Sequence, residues 1–435
     1  MDEGLFALSP YDGRYRSIGQ ELAPWFSEAG IIKTRIALEL SYLTLLSRKK
    51  IIRPFTRIET SFIKKFNPGA SQIKEIEKRT HHDVQAAVVY LQTILSKSSL
   101  ADISDFVHFG LTSEDINNIT WRTSLMKARE SVLIPSLEKL VGVFGELAKK
   151  YKSLVMLGRT HGQPAVPTTF GKEMINVAIR LHGQKNKLIH FQFQGKLNGA
   201  VGNFHSIDRI VSDTFITTLG FLPHHFTTQV NPNDDVIEYL QIIERINNIL
   251  HGFSQDMWRY ISDEWVLQKP LGVGSSTMPQ KINPIDFEHS EGATEIANGL
   301  IGVLVERLGE SRLQRDLSDT PLFRFLGEIH AATIDALGRT TSGLGRIEPN
   351  KKVMQEMLEK NWAILAEPLQ LLLKKSHKKD AYEKVKKLTQ GKTFTRKSWE
   401  EMVYSIVGKH EPLTPSTYIG LSRELTEEGL RLIQK

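Results

Sequence analysis

The sequence predicts an all-α protein of three domains, with a bundle of long helices at its centre. Three observations carry this. Apolar residues recur at three- and four-residue steps over long stretches, the spacing of a helix face. No run alternates apolar and polar residues in the manner of a strand. Turn punctuation and charge gather toward the two ends of the chain.

The clearest helix run is Val236, Leu240, Ile243, Ile246, Leu250, Phe253, Met257 and Tyr260. Its mean step lies near the 3.5-residue repeat of packed, supercoiled helices. A second run is Leu125, Leu133, Leu137, Leu140, Phe144, Leu147 and Tyr151, and Pro135 is expected to kink it. A third is Ile296, Leu300, Val303, Leu304 and Leu308; a fourth follows Pro167 through Met174, Val177, Ala178 and Leu181. Helices of about 25 residues would each be about 37 Å long. An elongated bundle of such helices tends to expose an apolar stripe and to associate with copies of itself. The expected domains are 1–105, a small helical domain; 106–345, the bundle; and 346–435, a second small helical domain.

The chain has 435 residues, 40% of them apolar, and no cysteine. Disulfides, a thiol nucleophile and a thiolate metal site are therefore excluded. The opening MDEGLFALSP carries acids where a secretion signal would carry Lys or Arg, and no window is apolar enough to span a membrane. A soluble, cytoplasmic protein without membrane partners is the expectation. The net charge of +7 suits either a nucleic-acid binder or an enzyme of anionic metabolites. The densest basic stretch, Lys374 to Lys387, is interrupted by Asp380 and Glu383 and holds one aromatic, Tyr382. That pattern is a solvated helix face, so no nucleic-acid partner is expected.

Between Glu264 and Asp286 lies an acid-free segment, WVLQKPLGVGSSTMPQKINPI. Gly272 and Gly274 give it backbone freedom, Ser275, Ser276 and Thr277 supply hydroxyls, and Lys281 and Asn283 supply a charge and an amide. Helix-forming sequence resumes at Pro284, with Asp286 and Glu288 in a first turn. Such a loop suits closure over an anion; the plainer alternative is a flexible connector. His161, one of 14 His, sits in the punctuated segment GRTHGQPAVP ahead of a helix, and an imidazole is suited to proton transfer near neutral pH.

The wording GSSTMPQKINP resembles the GSSxMPxKxNP signature of the fumarase/aspartase superfamily, whose members release fumarate by anti elimination. Further segments, in order along the chain, resemble the adenylosuccinate lyases of that superfamily: SPYDGRY, RTHHDV, TSEDIN, THGQP, TTQVNP, and SRLQRDLSDTPLFRFLG. The closing segments NWAILAEPLQ and PLTPSTYIG extend the likeness over essentially the whole chain. The resemblance implies Ser275 as general base and His161 as general acid, with Glu288 supporting the imidazole. It implies substrate contacts at Arg14, Tyr15, His81, His82, Asp83, Thr112, Ser113, Gln229, Ser276, Lys281, Asn283, His289, Arg315, Thr320 and Arg324. Lys281 and Asn283 would stabilise the aci-carboxylate that forms when the proton beside a carboxylate leaves. The resemblance further implies nucleotide substrates, no cofactor and no metal, and a homotetramer whose sites draw on three subunits.

Four positions depart from the family pattern. Gln280 stands where His is usual and matches argininosuccinate lyases, so another fumarate-releasing lyase is the second reading. His81 and His289 stand where close relatives have Asn, and Thr320 replaces Ser. A non-enzymatic helical binding protein is the remaining alternative; it has no need of Ser275, Lys281 and His161 together.

Overall fold

A computed structural model describes residues 3–270, 277–409 and 411–434. Helices dominate, as the periodicity predicts. The longest are Asp234–Ser262, of 29 residues, and Ile285–Leu308, of 24. Phe170–His190 and Glu28–Arg48 have 21 each. The helix Asp234–Ser262 buries every member of its apolar run from Val236 to Met257. Among the described residues, no helix is long and apolar enough to cross a membrane.

Packing groups the chain into two compact units. The first comprises Met1–Ser136, Gln184–Asn248 and Gly292–Ala336; the second comprises Leu137–Gly183, Ile249–Glu291 and Leu337–Lys435. Boundaries at 105 and 345 follow changes in composition. The units gather stretches far apart in sequence, a grouping that composition does not register.

In the first unit, two buried ion pairs link segments far apart in sequence. Arg122 meets Asp235 through a two-pronged contact, Nε–Oδ2 at 2.8 Å and Nη2–Oδ1 at 2.6 Å. Lys196 Nζ lies 2.9 Å from Asp115 Oδ1, with both side chains 0% exposed. Charges this deep persist because each is paired and hydrogen-bonded. Asp115 Oδ2 also accepts from Thr112 N–H at 2.9 Å, which caps the helix Ser113–Ala128. Around Pro135 the chain widens into a five-residue turn, Arg129–Leu133, before the helix Ile134–Lys150 resumes. Ile134 N–H there bonds Arg129 O, an i→i−5 link. The wide turn lies just ahead of the proline, which has no N–H to continue the regular ladder.

The third apolar run packs differently from its reading. Ala297, Ile301, Leu304 and Leu308 form the buried face of Ile285–Leu308, while Ile296 is 62% and Val303 53% exposed.

The second unit holds the main departure from an all-helical expectation. Strands β1 (Val155–Thr160) and β2 (Gln163–Thr169) form an antiparallel hairpin. Gly158 is required in it, because a Cβ there would stand 2.4 Å from Val166 O. A second short antiparallel ladder pairs Val266–Gln268 with Ile347–Pro349. Asp286, in the first turn of Ile285–Leu308 as predicted, is buried and bonded to Arg346 and Ser342. Toward the C-terminus, Trp362, Leu369, Leu373, Val385, Trp399 and Val403 make a separate core. The lysines of the basic stretch are exposed there, while Ala381 and Val385 turn inward. This is the solvated face that the sequence indicates.

Candidate active site

Apart from Arg14 and Tyr15, the expected site residues that the structure describes fall into two groups, one in each unit. In the first unit, His81, His82, Asp83, Thr112, Ser113, Gln229, Arg315, Thr320 and Arg324 all line one cavity of about 570 Å³. Helix ends and loops present them. His81 closes the helix Ala70–Thr80 in a left-handed conformation, φ 50° and ψ 29°. Asn and His both enter that region more readily than most residues, which accounts physically for one replacing the other at this position. His82 caps the next helix, Asp83–Leu95, its Nδ1 accepting from Gln85 N–H at 3.3 Å. Its Nε2 lies 3.4 Å from Ser113 Oγ. Gln229 Nε2 donates to Thr112 Oγ1 at 2.9 Å, so two of the expected contacts fix each other.

Charge in this cavity is arranged in pairs. Asp83 meets Arg35 Nη2 at 2.7 Å. Burial works to raise the Asp83 carboxyl, but Arg35 and the Val84 N–H outweigh it and hold the group below the usual aspartate range. Arg315 reaches Asp319 at 3.1 Å and Glu114 at 3.4 Å. Arg324 reaches Glu28 at 2.7 Å. Trp121 and Phe323 stack at 5.5 Å and supply an apolar wall. Arg35, Glu114, Trp121 and Phe323 were not singled out from the sequence. Arg35 had a signal, since it interrupts the apolar helix IIKTRIALEL and is 3% exposed. Glu114 lies inside TSEDIN, next to two expected contacts.

Arg14 and Tyr15 do not line this cavity. Arg14 is exposed, and Tyr15 packs beside Tyr11 at a ring separation of 5.9 Å.

The second unit carries the remaining group. His161 and Gly162 are the two turn residues of the hairpin, with φ 52° and 73°. Positive φ at both positions is the turn type that matches the twist of paired strands. The turn therefore projects the imidazole from an exposed tip. Arg159 secures it, donating to Gly162 O at 3.0 Å while its guanidinium lies 5.1 Å from the Trp265 ring centre. Beneath the hairpin is a cavity of about 660 Å³ that includes Glu173, Asp256 and Tyr260. Burial raises both carboxyls above their ordinary range.

Lys281 is exposed and Asn283 half-buried, just ahead of the helix Ile285–Leu308. Glu288 Oε1 accepts from Trp258 Nε1 at 3.2 Å. His289, on the same first turn, is half-buried. Ser275 and Ser276 lie outside the described residues.

The architecture is similar to that of the fumarate lyase from Mesorhizobium sp. BNC1, with TM-score 0.78, 17% identity, and coverage of 95% of this chain and 97% of that one. The 3-carboxy-cis,cis-muconate lactonizing enzyme from Pseudomonas putida follows at TM-score 0.75 and 18% identity, with coverage of 95% and 96%. Both likenesses concern the fold. A family model described as Lyase matches residues 54–299. Fold and family match together define a helical lyase. A second model, described as Adenylosuccinate lyase C-terminal, matches residues 311–419. The chain is 39% identical to the adenylosuccinate lyase of Haemophilus influenzae over 98% of both chains, and 36% identical to that of Escherichia coli K12 over 98% of both. It belongs to the adenylosuccinate lyase family.

Proposed function

We propose that this C–N lyase cleaves adenylosuccinate to AMP and fumarate in the cytoplasm, and acts likewise on succinyl-aminoimidazole-carboxamide ribotide. The observation that carries the reading is the gathering of the expected substrate contacts, from His81 to Arg324, around one cavity rich in arginine. Arg is the donor best matched to phosphate and carboxylate.

In the proposed reaction Ser275 removes the proton from the carbon beside a succinyl carboxylate. The electron pair passes into that carboxylate, and Lys281 and Asn283 stabilise the dianion. The pair then returns to form the double bond of fumarate as the C–N bond breaks. His161 gives its proton to the departing nitrogen, so charge and protons balance. Ser276 and His289 contact the substrate, and Glu288 orients the imidazole in the assembled enzyme. Purified protein should convert adenylosuccinate with a change in ultraviolet absorbance, and Ser275→Ala or His161→Asn should lower kcat by about 10²–10⁴. Inert adenylosuccinate with turnover of argininosuccinate would select the reading that Gln280 suggests. Full activity in Ser275→Ala would remove the base.

We further propose a homotetramer with shared sites. An open stripe on Ile285–Leu308 supports it: Gly292, Ile296, Gly299 and Val303 recur at helical spacing. Neither glycine has a neighbour within 4 Å of where a Cβ would sit. Light scattering should give four subunits, and Val303→Glu should dissociate them. A wild-type enzyme that is active as a monomer would contradict this.

A further inference from the structure

Glu114 sits between Ser113, an expected substrate contact, and Asp115, the buried cap, and the reaction above gives it no part. Its side chain is 11% exposed, and its Oε2 lies 3.4 Å from Arg315 Nη2. Arg315 also holds Asp319 at 3.1 Å through Nη1. One arginine thus faces two carboxylates inside the cavity that gathers the substrate contacts. The other charges acting on Glu114 are Lys196 and Arg122. Arg35, Glu77, His81, His82, Asp83 and Arg324 line the same cavity.

With both carboxylates ionised, the trio with Arg315 carries a net charge of −1 and opposes an entering anion. With one protonated it is neutral, and the guanidinium is available. Burial pushes Glu114 up to about 7, Asp319 adds to this, and Arg315, Lys196 and Arg122 act against it. The switch between the two charge states therefore falls near neutral pH.

We propose that Glu114 is a positioning residue for Arg315: it holds the guanidinium before substrate arrives, and takes a proton from solvent when an anionic group of the substrate claims that arginine. The Arg315–Glu114 ion pair is then exchanged for an Arg315–substrate pair, and the carboxyl stays behind neutral. This rests on the reading that the cavity takes the substrate. Binding should therefore be linked to proton uptake, and KM for adenylosuccinate should rise above pH 7 by up to about tenfold per pH unit.

The test is the pH profile of KM and kcat from pH 7 to 9 for wild type, Glu114→Gln and Glu114→Asp. Calorimetry of AMP and of succinate binding, in buffers of different ionisation enthalpy at pH 8, accompanies it. A steep KM profile in wild type, a flat one in Glu114→Gln, a slope regained in Glu114→Asp and kcat profiles of one shape are expected. So is uptake of about half a proton or more per wild-type site with at least one ligand. Glu114→Gln retaining the wild-type KM slope overturns the proposal. If that variant does not fold, a flat wild-type KM profile, or no proton uptake with either ligand, overturns it. No turnover of adenylosuccinate at any pH would instead defeat the substrate reading itself.

Discussion

Replacing Asp115 should cost more than replacing its partner Lys196, and the structure gives the reason. The carboxylate accepts from Thr112 N–H at 2.9 Å, Asn198 N–H at 3.1 Å and Gly199 N–H at 3.3 Å, in addition to the ammonium at 2.9 Å. The ammonium has, besides Asp115, the Gly199 carbonyl at 2.7 Å. Asp115→Asn leaves a fully buried cation without its counter-charge, a loss of about 3–5 kcal/mol. Lys196→Met leaves an anion that keeps three N–H donors, at a cost of about 1–2 kcal/mol. The double variant should cost less than the sum of the two, by about 1–3 kcal/mol, because the charges are removed together. Urea unfolding followed by circular dichroism measures all three. The cap at Thr112 also loosens in Asp115→Asn, and Thr112 holds Gln229, so KM for adenylosuccinate should rise as well. An Asp115→Asn cost below about 1 kcal/mol, or a larger cost for Lys196→Met, would refute the reasoning.

Arg159→Lys keeps the charge but loses the flat guanidinium that lies over Trp265 and reaches Gly162 O. We expect kcat to fall about tenfold with KM nearly unchanged, a split readable from steady-state kinetics. Burial lowers the pKa of His330 to about 4; the backbone carbonyl of Leu326, to which its Nδ1 donates, works in the other direction. Tyr239 O–H donates to its Nε2 at 2.9 Å. The unfolded chain binds this proton near pH 6.5, so the stabilisation present above that pH is lost as pH falls toward 4. Between pH 7 and 4.5 the urea-derived stability of wild type should drop about 2–3 kcal/mol more than that of His330→Gln. Equal drops in the two proteins would remove this assignment.

The long helices were legible because burial of one face imposes a period that survives in the sequence, as Val236 to Met257 demonstrates. Ile285–Leu308 shows the limit. It carries apolar residues on two faces, and periodicity does not tell which one turns into the chain. The hairpin was hidden because Gly158, Pro164 and Pro167 break any alternation, and the pairing register shifts between Met156 and Gly158. The segments that build the site were legible as wording. Their convergence was not, since a motif gives positions along the chain but no distances. Thus Gln229 meets Thr112 across the fold, whereas Arg14 and Tyr15 are not among the residues lining the cavity that gathers the other contacts of the first unit. Arg35 and Glu114 depend on burial and on ionic partners, which only packing provides.

The most direct test is a crystal structure of the His161→Asn enzyme with adenylosuccinate bound. The account predicts an anionic group of the ligand within about 3 Å of the Arg315 guanidinium, beside Gln229 and Thr112. Adenylosuccinate bound with all its phosphate and carboxylate oxygens remote from Arg315, Arg324 and Gln229 would contradict it.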